Sequence, residues 1–193
     1  RAGVAPVRRV LPPGLVTALR TYYHRDAFPR RHLIDGVYHL WSEPFARHLN
    51  HQFKPFVEQV VGAPLRDSSP LVLIYTASSC LGIHCDDRQF DVSLSISLGE
   101  LDCPPGQIPA QRPALHALTW GAFNDSPPVV RVSFDEGDGL IFAGGTLPHY
   151  RNRVREGSRY VMSLSLGYHY ARRSRTRGLP GQQVWLMCTN APF

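Results

Sequence analysis

Residues 75–86 read YTASSCLGIHCD, and the stretch ends in a histidine and an aspartate two positions apart. Side chains two apart on an extended chain point the same way, so His84 and Asp86 can reach one ion. A second histidine, His149, follows a short apolar strand and a double-glycine turn. Two imidazoles and one carboxylate on one face leave three coordination positions open, which suits an Fe(II) ion that also binds a cosubstrate and O₂.

A fourth candidate is Arg159, ten residues after His149 and at the start of a strand-like run. A guanidinium is the preferred partner for a carboxylate in a partly buried pocket. A dicarboxylic 2-oxo acid could therefore chelate the metal at one end and pair with Arg159 at the other. A His-x-Asp pair alone is weak evidence, but its combination with His149 and Arg159 is poorly explained by chance.

The sequence around these residues predicts strands. Residues 92–98 alternate strictly between apolar residues and serine, which indicates a strand with two unlike faces. Short apolar or β-branched runs predict further strands at 70–76, 129–134, 140–142 and 159–168, and residues 136–139 predict a turn.

The N-terminal third predicts helices. A helix is expected to start after Ser42 as the N-cap and to end before Gly62. Its predicted apolar face consists of Phe45, Leu49, Phe53, Phe56 and Val60, and Pro55 is expected to kink it. Residues 15–22 suggest a short helix, whereas 24–39 suggest irregular structure.

Helices followed by many short strands argue for an α+β domain in which helices support an antiparallel β-sandwich or barrel. The expected organisation is one domain over residues 1–193: helical support in 1–69, a β core in 70–170 and a C-terminal extension in 171–193. Within the core, the proline-rich segment 99–128 is expected to form a lid or mobile loop.

Composition excludes several classes of protein. Of 193 residues, 43% are hydrophobic and 19% charged, which is typical of a globular protein. The net charge is +6, but Lys54 is the only lysine, which suggests codon bias more than a nucleic-acid surface. No apolar run approaches the roughly 20 residues of a membrane helix, and no signal peptide is visible. The four cysteines match no zinc or disulfide pattern, so a reduced, cytoplasmic protein is expected.

These motifs resemble the Fe(II)- and 2-oxoglutarate-dependent oxygenases, specifically their prolyl-4-hydroxylase-like branch. The resemblance covers roughly residues 70–170 and rests on Tyr75, Leu81, His84-x-Asp86, the strand 93–98, residues 136–142, His149, Val154, Gly157 and Arg159-Tyr160. It implies a double-stranded β-helix (a jelly-roll, cupin-like fold) with N-terminal supporting helices. It also implies metal binding by His84, Asp86 and His149, with 2-oxoglutarate held by Arg159 and Tyr75.

The implied reaction uses O₂ and converts 2-oxoglutarate to succinate and CO₂ while a substrate is hydroxylated, and ascorbate is a possible additional cofactor. Halogenating relatives replace the carboxylate that this chain keeps at Asp86, so hydroxylation is favoured. A family tyrosine at the end of the next strand corresponds here to Ser97. Arg88 and Trp120 are candidate substrate contacts, near the pocket mouth and in the lid respectively.

The expected substrate is a small molecule such as a free amino acid or natural-product intermediate, and a prolyl or other peptidyl hydroxylase is the alternative. A nucleic-acid dealkylating oxygenase, a zinc hydrolase and a degenerate binding protein fit the residues less well. Arg151, Arg153 and Arg155 alternate after His149, so on an extended chain they share one side and either attract an anionic substrate or face solvent.

Overall fold

A computed structural model describes residues 3–25, 31–34, 36–77, 79–87, 89–101, 114–118, 129–154 and 160–171. These residues form two helices and twelve strands. The helices are α1 (Pro13–Arg25) and α2 (Pro44–Val61). The strands are β1 (Val4–Val7), β2 (His32–Ile34), β3 (Val37–Trp41), β4 (Leu65–Asp67), β5 (Leu71–Thr76), β6 (Leu81–His84), β7 (Val92–Leu101), β8 (Ala114–Leu118), β9 (Val129–Ser133), β10 (Gly139–Phe142), β11 (His149–Arg151) and β12 (Tyr160–Tyr170).

The strands form two antiparallel sheets. The major sheet has the order β1-β10-β7-β12-β5-β3-β2, and β4 also pairs with β12. The minor sheet has the order β6-β11-β8-β9. Leu115 and Ala117 of the minor sheet pack in one apolar cluster with Leu140 and Phe142 of the major sheet, so the two sheets share a core. Non-sequential neighbours such as β10, β7 and β12 are typical of a jelly-roll rather than a meander.

The two faces of the major sheet differ because the side chains of β7 and β12 alternate. The apolar residues of both strands pack with the helices in the largest core cluster, which includes Val16, Ala46 and Val57. The opposite face carries serines, and Ser97 pairs with Ser163 while Ser95 pairs with Ser165. The strict alternation seen in residues 92–98 therefore separates a helix-covered apolar face from a small, polar inner face.

Helix α2 begins one residue later than the sequence suggested. Glu43, rather than Ser42, is the N-cap, and its carboxylate accepts a hydrogen bond from the Ala46 N–H at 3.1 Å. The helix continues through Pro55 and ends, as predicted, at Gly62, whose φ of 71° is accessible to glycine.

The buried face of α2 is also displaced from the prediction. Its buried residues are Ala46, Asn50 and Val57, whereas Phe45 and Val60 are 51% and 42% exposed. Leu49, Phe53 and Phe56 of the predicted face are partly buried and pack against the core cluster, so the prediction is confirmed for these three residues and is wrong for Phe45 and Val60.

Three further expectations need correction. Residues 32–34 and 37–41 form a hairpin at the edge of the major sheet, although this region was expected to be irregular. Residues 114–118, within the segment expected to be a lid, form a central strand of the minor sheet. Cys80 is disulfide-bonded while Cys85 is a free thiol, so the expectation of reduced cysteines is wrong for Cys80. Sequence spacing could not reveal that pairing because the fold decides which cysteines meet.

Among the described residues, neither helix is both long and apolar enough to cross a bilayer.

Candidate metal centre

The edge of the minor sheet brings three sequence-distant side chains together. His84 is the last residue of β6, His149 is the first residue of β11, and the two are direct partners in the antiparallel pair. Asp86 follows two residues after His84, and its N–H donates to the Gly144 carbonyl at 2.8 Å. The loop that precedes β11 therefore fixes the backbone of Asp86 beside both imidazoles.

The ligand atoms converge on one point. Oδ1 of Asp86 lies 3.6 Å from Nε2 of His84 and 3.4 Å from Nε2 of His149. The two imidazole centroids are 4.3 Å apart, and one ligand atom from each residue lies within 4.8 Å of the others. His84 and His149 are buried, and the Asp86 side chain is 19% exposed. Such spacing matches donors about 2 Å from a shared transition-metal ion.

Backbone carbonyls set the tautomer of both histidines. Nδ1 of His84 donates to the Gly82 carbonyl, and Nδ1 of His149 donates to the Leu147 carbonyl, each at 2.9 Å. Because a carbonyl can only accept, Nδ1 carries the proton and the lone pair of Nε2 points towards Asp86. Outer contacts of this kind orient the imidazoles of metal sites.

The carboxylate of Asp86 is oriented in the same way. Its Oδ2 accepts a hydrogen bond from Oγ of Ser93 at 2.6 Å, which leaves Oδ1 for a metal. Burial by itself would raise the pKa of Asp86, but the polar groups around the carboxylate, including the Ser93 hydroxyl that donates to it, outweigh burial and lower the pKa well below the usual range. Asp86 is therefore ionised, as a metal ligand must be.

Because Gly144 has no side chain, the Asp86 carboxylate can occupy the space beside it. A Cβ at Gly144 would overlap both Oδ2 of Asp86 and Oγ of Ser93. The absence of a side chain at this buried position is thus a structural requirement of the site, although the sequence offered only a double-glycine turn as a signal.

Two imidazoles with preset tautomers and one ionised carboxylate fit Fe(II), which binds such two-histidine, one-carboxylate triads with open positions. Other divalent ions bind the same donors, so the donor set defines a transition-metal site and does not by itself select iron.

A second group of polar side chains lies on the inner face behind the triad. Tyr75 of β5 is 1% exposed, and the guanidinium carbon of Arg151 lies 4.9 Å from the centroid of its ring. Burial raises the pKa of Tyr75, the Arg151 guanidinium opposes that rise, and the nearby Asp86 charge adds to it. The phenol is therefore neutral and lies close to the triad.

Sequence reasoning left the role of Arg151 open. The alternation of arginines after His149 was the available signal, but it could not say which face was buried. The structure shows that Arg151 is buried whereas Arg153 is exposed.

Three predicted site residues, Arg159, Arg88 and Trp120, lie outside the described residues. Their roles as cosubstrate clamp and substrate contacts stay predictions. Ser97, the counterpart of the family tyrosine, is buried on the inner face and pairs with Ser163.

No protein-family model matches the sequence, and no curated protein sequence matches it. Solved structures do match the fold. A prolyl-4-hydroxylase from Pseudomonas putida superposes with a TM-score of 0.68 at 18% identity, over 88% of this chain and 93% of that one.

Two further solved structures also match the fold of this chain. The non-haem α-ketoglutarate-dependent epimerase SnoN from nogalamycin biosynthesis matches with a TM-score of 0.70 at 18% identity, over 89% of this chain and 79% of that one. HygX from Streptomyces hygroscopicus, solved with nickel and 2-oxoglutarate bound, matches with a TM-score of 0.63 at 18% identity, over 86% and 83% of the two chains.

The chain therefore has the double-stranded β-helix fold of 2-oxoglutarate–Fe(II) oxygenases, as the sequence predicted. At this level of identity the likeness concerns the fold, and fold alone does not determine the reaction.

Proposed function

We propose that this protein is an Fe(II)- and 2-oxoglutarate-dependent dioxygenase that hydroxylates a small molecule, such as a free amino acid or a natural-product intermediate. Succinate and CO₂ would be the products of the cosubstrate. This proposal is supported by the fold, which is similar to that of the α-ketoglutarate-dependent epimerase SnoN from nogalamycin biosynthesis and of HygX, which binds nickel and 2-oxoglutarate.

The observation that carries the proposal is the convergence of His84, Asp86 and His149. Each imidazole presents Nε2 because its Nδ1 is held by a carbonyl, and Asp86 presents Oδ1 because its Oδ2 is held by Ser93. A ferrous ion at this point would supply O₂ activation coupled to oxidative decarboxylation of the 2-oxo acid. The protein's own contribution is to hold three ligands and leave the remaining positions open.

The chain would hold the cosubstrate through the inner face of the barrel. Tyr75 is neutral and buried near Asp86, so its phenol can donate to a carboxylate. The proposal assigns Arg159 to the distal carboxylate of 2-oxoglutarate, as the family resemblance implies. Burial of Tyr75 would keep bulk water away from its contact with the carboxylate.

The test measures metal binding and turnover separately. Calorimetry with Mn(II) or Ni(II) should show one site in the wild type and none in His84→Ala, while His51→Ala, at an exposed histidine paired with Asp67, should bind as the wild type does. With Fe(II) and O₂, the wild type should release succinate from 2-oxoglutarate, faster with the right substrate. Turnover that needs neither iron nor 2-oxoglutarate, or a wild type that binds no divalent metal, contradicts the proposal.

A peptidyl hydroxylase is the second candidate, and the match to a prolyl-4-hydroxylase over 93% of that chain favours it. The two candidates differ in the size of the substrate that they accept. Screening free amino acids against proline-containing peptides under the same conditions distinguishes them, because only the peptide hydroxylase requires residues on both sides of the reacting one.

A further inference from the structure

Arg151 is a buried cation on the inner face of the minor sheet. It lies two residues after His149 on β11, so its side chain leaves the strand on the same face as the metal-site imidazole. Its register partner is Leu81 on β6, at the other end of that strand from His84. The residue is only 6% exposed, so the guanidinium does not reach bulk water.

Nothing in the described part of the chain neutralises this charge. No carboxylate within the described ranges forms a salt bridge with Arg151, and its Nε is buried without a hydrogen-bond partner. The guanidinium contacts the neutral side chain of Tyr75, which carries no charge to balance it. An uncompensated buried charge is costly by several kcal/mol, so a site of this kind is expected to receive an anion.

The surroundings of Arg151 suit a carboxylate. The Tyr75 phenol lies beside Arg151. Tyr75 pairs with Val161 on β12. Ser163 lies two residues further along that strand, on the same face as Val161. The Ser163 side chain is 1% exposed, and its hydroxyl has no hydrogen-bond partner. A guanidinium, a phenol and a hydroxyl can all donate to a carboxylate, and the Arg151 Nε–H is an unused donor.

We infer that Arg151 is a second basic residue of the cosubstrate pocket, which binds the distal carboxylate of the 2-oxo acid and selects a dicarboxylate over a monocarboxylate. This inference rests on the proposed function and adds a residue from the minor sheet to Arg159, the cosubstrate clamp predicted from the sequence.

The first test avoids metal and turnover. Glutarate, which has two carboxylates and no 2-oxo group, should raise the melting temperature of the metal-free protein because it neutralises the buried cation. Arg151→Met, which keeps length without charge, should lose that rise and should melt no lower than the wild type without ligand. Arg153→Met, at the exposed neighbour, is the matched control and should keep the glutarate effect.

The second test measures selectivity. With Ni(II) bound, 2-oxoglutarate should bind about 10- to 100-fold more weakly to Arg151→Met than to the wild type, the range expected for a charged hydrogen bond. The affinity for 2-oxobutyrate, which lacks the distal carboxylate, should be the same in both proteins. Arg151→Lys should recover part of the lost 2-oxoglutarate affinity, because lysine restores the positive charge but not the planar guanidinium that binds a carboxylate through two hydrogen bonds.

The outcomes separate the two proposals. If the wild type prefers 2-oxoglutarate over 2-oxobutyrate and Arg151→Met keeps that preference, Arg151 has no role in the pocket, while the dioxygenase proposal stands. If both acids lose affinity equally in Arg151→Met, the residue supports the fold and the inference is again wrong. A metal-loaded wild type that binds neither acid overturns the proposed function together with this inference.

Discussion

The guanidinium carbon of Arg151 lies 4.9 Å from the centroid of the Tyr75 ring, and this contact joins the minor sheet to the major one. Arg151 belongs to β11 and Tyr75 to β5, strands that share no backbone hydrogen bonds. Both side chains are buried.

Tyr75→Phe should weaken 2-oxoglutarate binding by about 2- to 10-fold, which corresponds to one neutral hydrogen bond. The phenol is neutral because burial raises its pKa, so in the wild type it can donate to a carboxylate. Calorimetry on the Ni(II)-loaded protein measures the change.

Tyr168→Phe is the matched control for Tyr75→Phe. Its buried phenol donates to the Asn50 carbonyl at 2.9 Å, on the helix-covered side of the sheet. It should lower stability and leave 2-oxoglutarate affinity unchanged. Equal affinities in the wild type and Tyr75→Phe would remove Tyr75 from the pocket.

Gly144→Ala should abolish or strongly weaken metal binding. The added Cβ would overlap Oδ2 of Asp86 and Oγ of Ser93, so the carboxylate must rotate or the loop before β11 must move. Loss of a correctly oriented ligand and its outer hydrogen bond is expected to cost about 10- to 100-fold in metal affinity.

The matched control is Gly145→Ala, whose Cβ would lie 3.1 Å from the Phe90 carbonyl oxygen, a tight but adjustable contact. Metal titrations monitored by calorimetry compare the two variants. Wild-type affinity in Gly144→Ala would show that Asp86 does not need the position that the structure gives it.

Glu43→Ala should lower the free energy of unfolding by about 2 to 4 kcal/mol. The Glu43 carboxylate caps α2 through the Ala46 N–H and also accepts from the phenols of Tyr22 at 2.7 Å and Tyr23 at 3.2 Å. Its removal leaves the fully buried Tyr23 hydroxyl without this partner.

Ser42→Ala is the control, since Ser42 was the N-cap expected from sequence. Urea unfolding should show a change within about 0.5 kcal/mol for Ser42→Ala. A larger loss in Ser42→Ala than in Glu43→Ala would reverse the assignment of the cap.

Asp138 should stabilise the protein in a pH-dependent way. Burial alone would raise its pKa, but the Arg9 N–H, the Arg8 guanidinium and the Asp135 N–H outweigh burial and lower the pKa. A carboxyl whose pKa is lower in the folded state stabilises above its unfolded-state pKa and loses that contribution as pH falls through the folded-state pKa.

Asp138→Asn should therefore be about 1 to 3 kcal/mol less stable than the wild type at pH 7, and the difference should shrink in acid below the ordinary range of an aspartate. Urea unfolding at several pH values measures it, with the exposed Asp135→Asn as control. A difference that stays constant down to strongly acidic pH would argue against an ionic role for Asp138.

The sequence by itself determined the parts of this protein that follow from local pattern. Strict alternation over residues 92–98 predicted a two-faced strand, and the structure shows helix-side leucines and inner serines there. The two-residue spacing of His84 and Asp86 predicted a shared target because extended chains repeat every two residues. Gly62 ended α2 as expected, since a left-handed residue there favours glycine.

Only the tertiary structure decided what depends on partners distant in sequence. β8 is too short to be recognised among prolines, and its pairing with β11 and β9 makes it a strand. Glu43 outcompetes Ser42 as a cap because two tyrosines from α1 meet its carboxylate. Arg151 is buried because β11 turns its alternate residues towards the major sheet. The energy of such contacts comes from chain segments brought together by folding, and no local pattern encodes which segments those are.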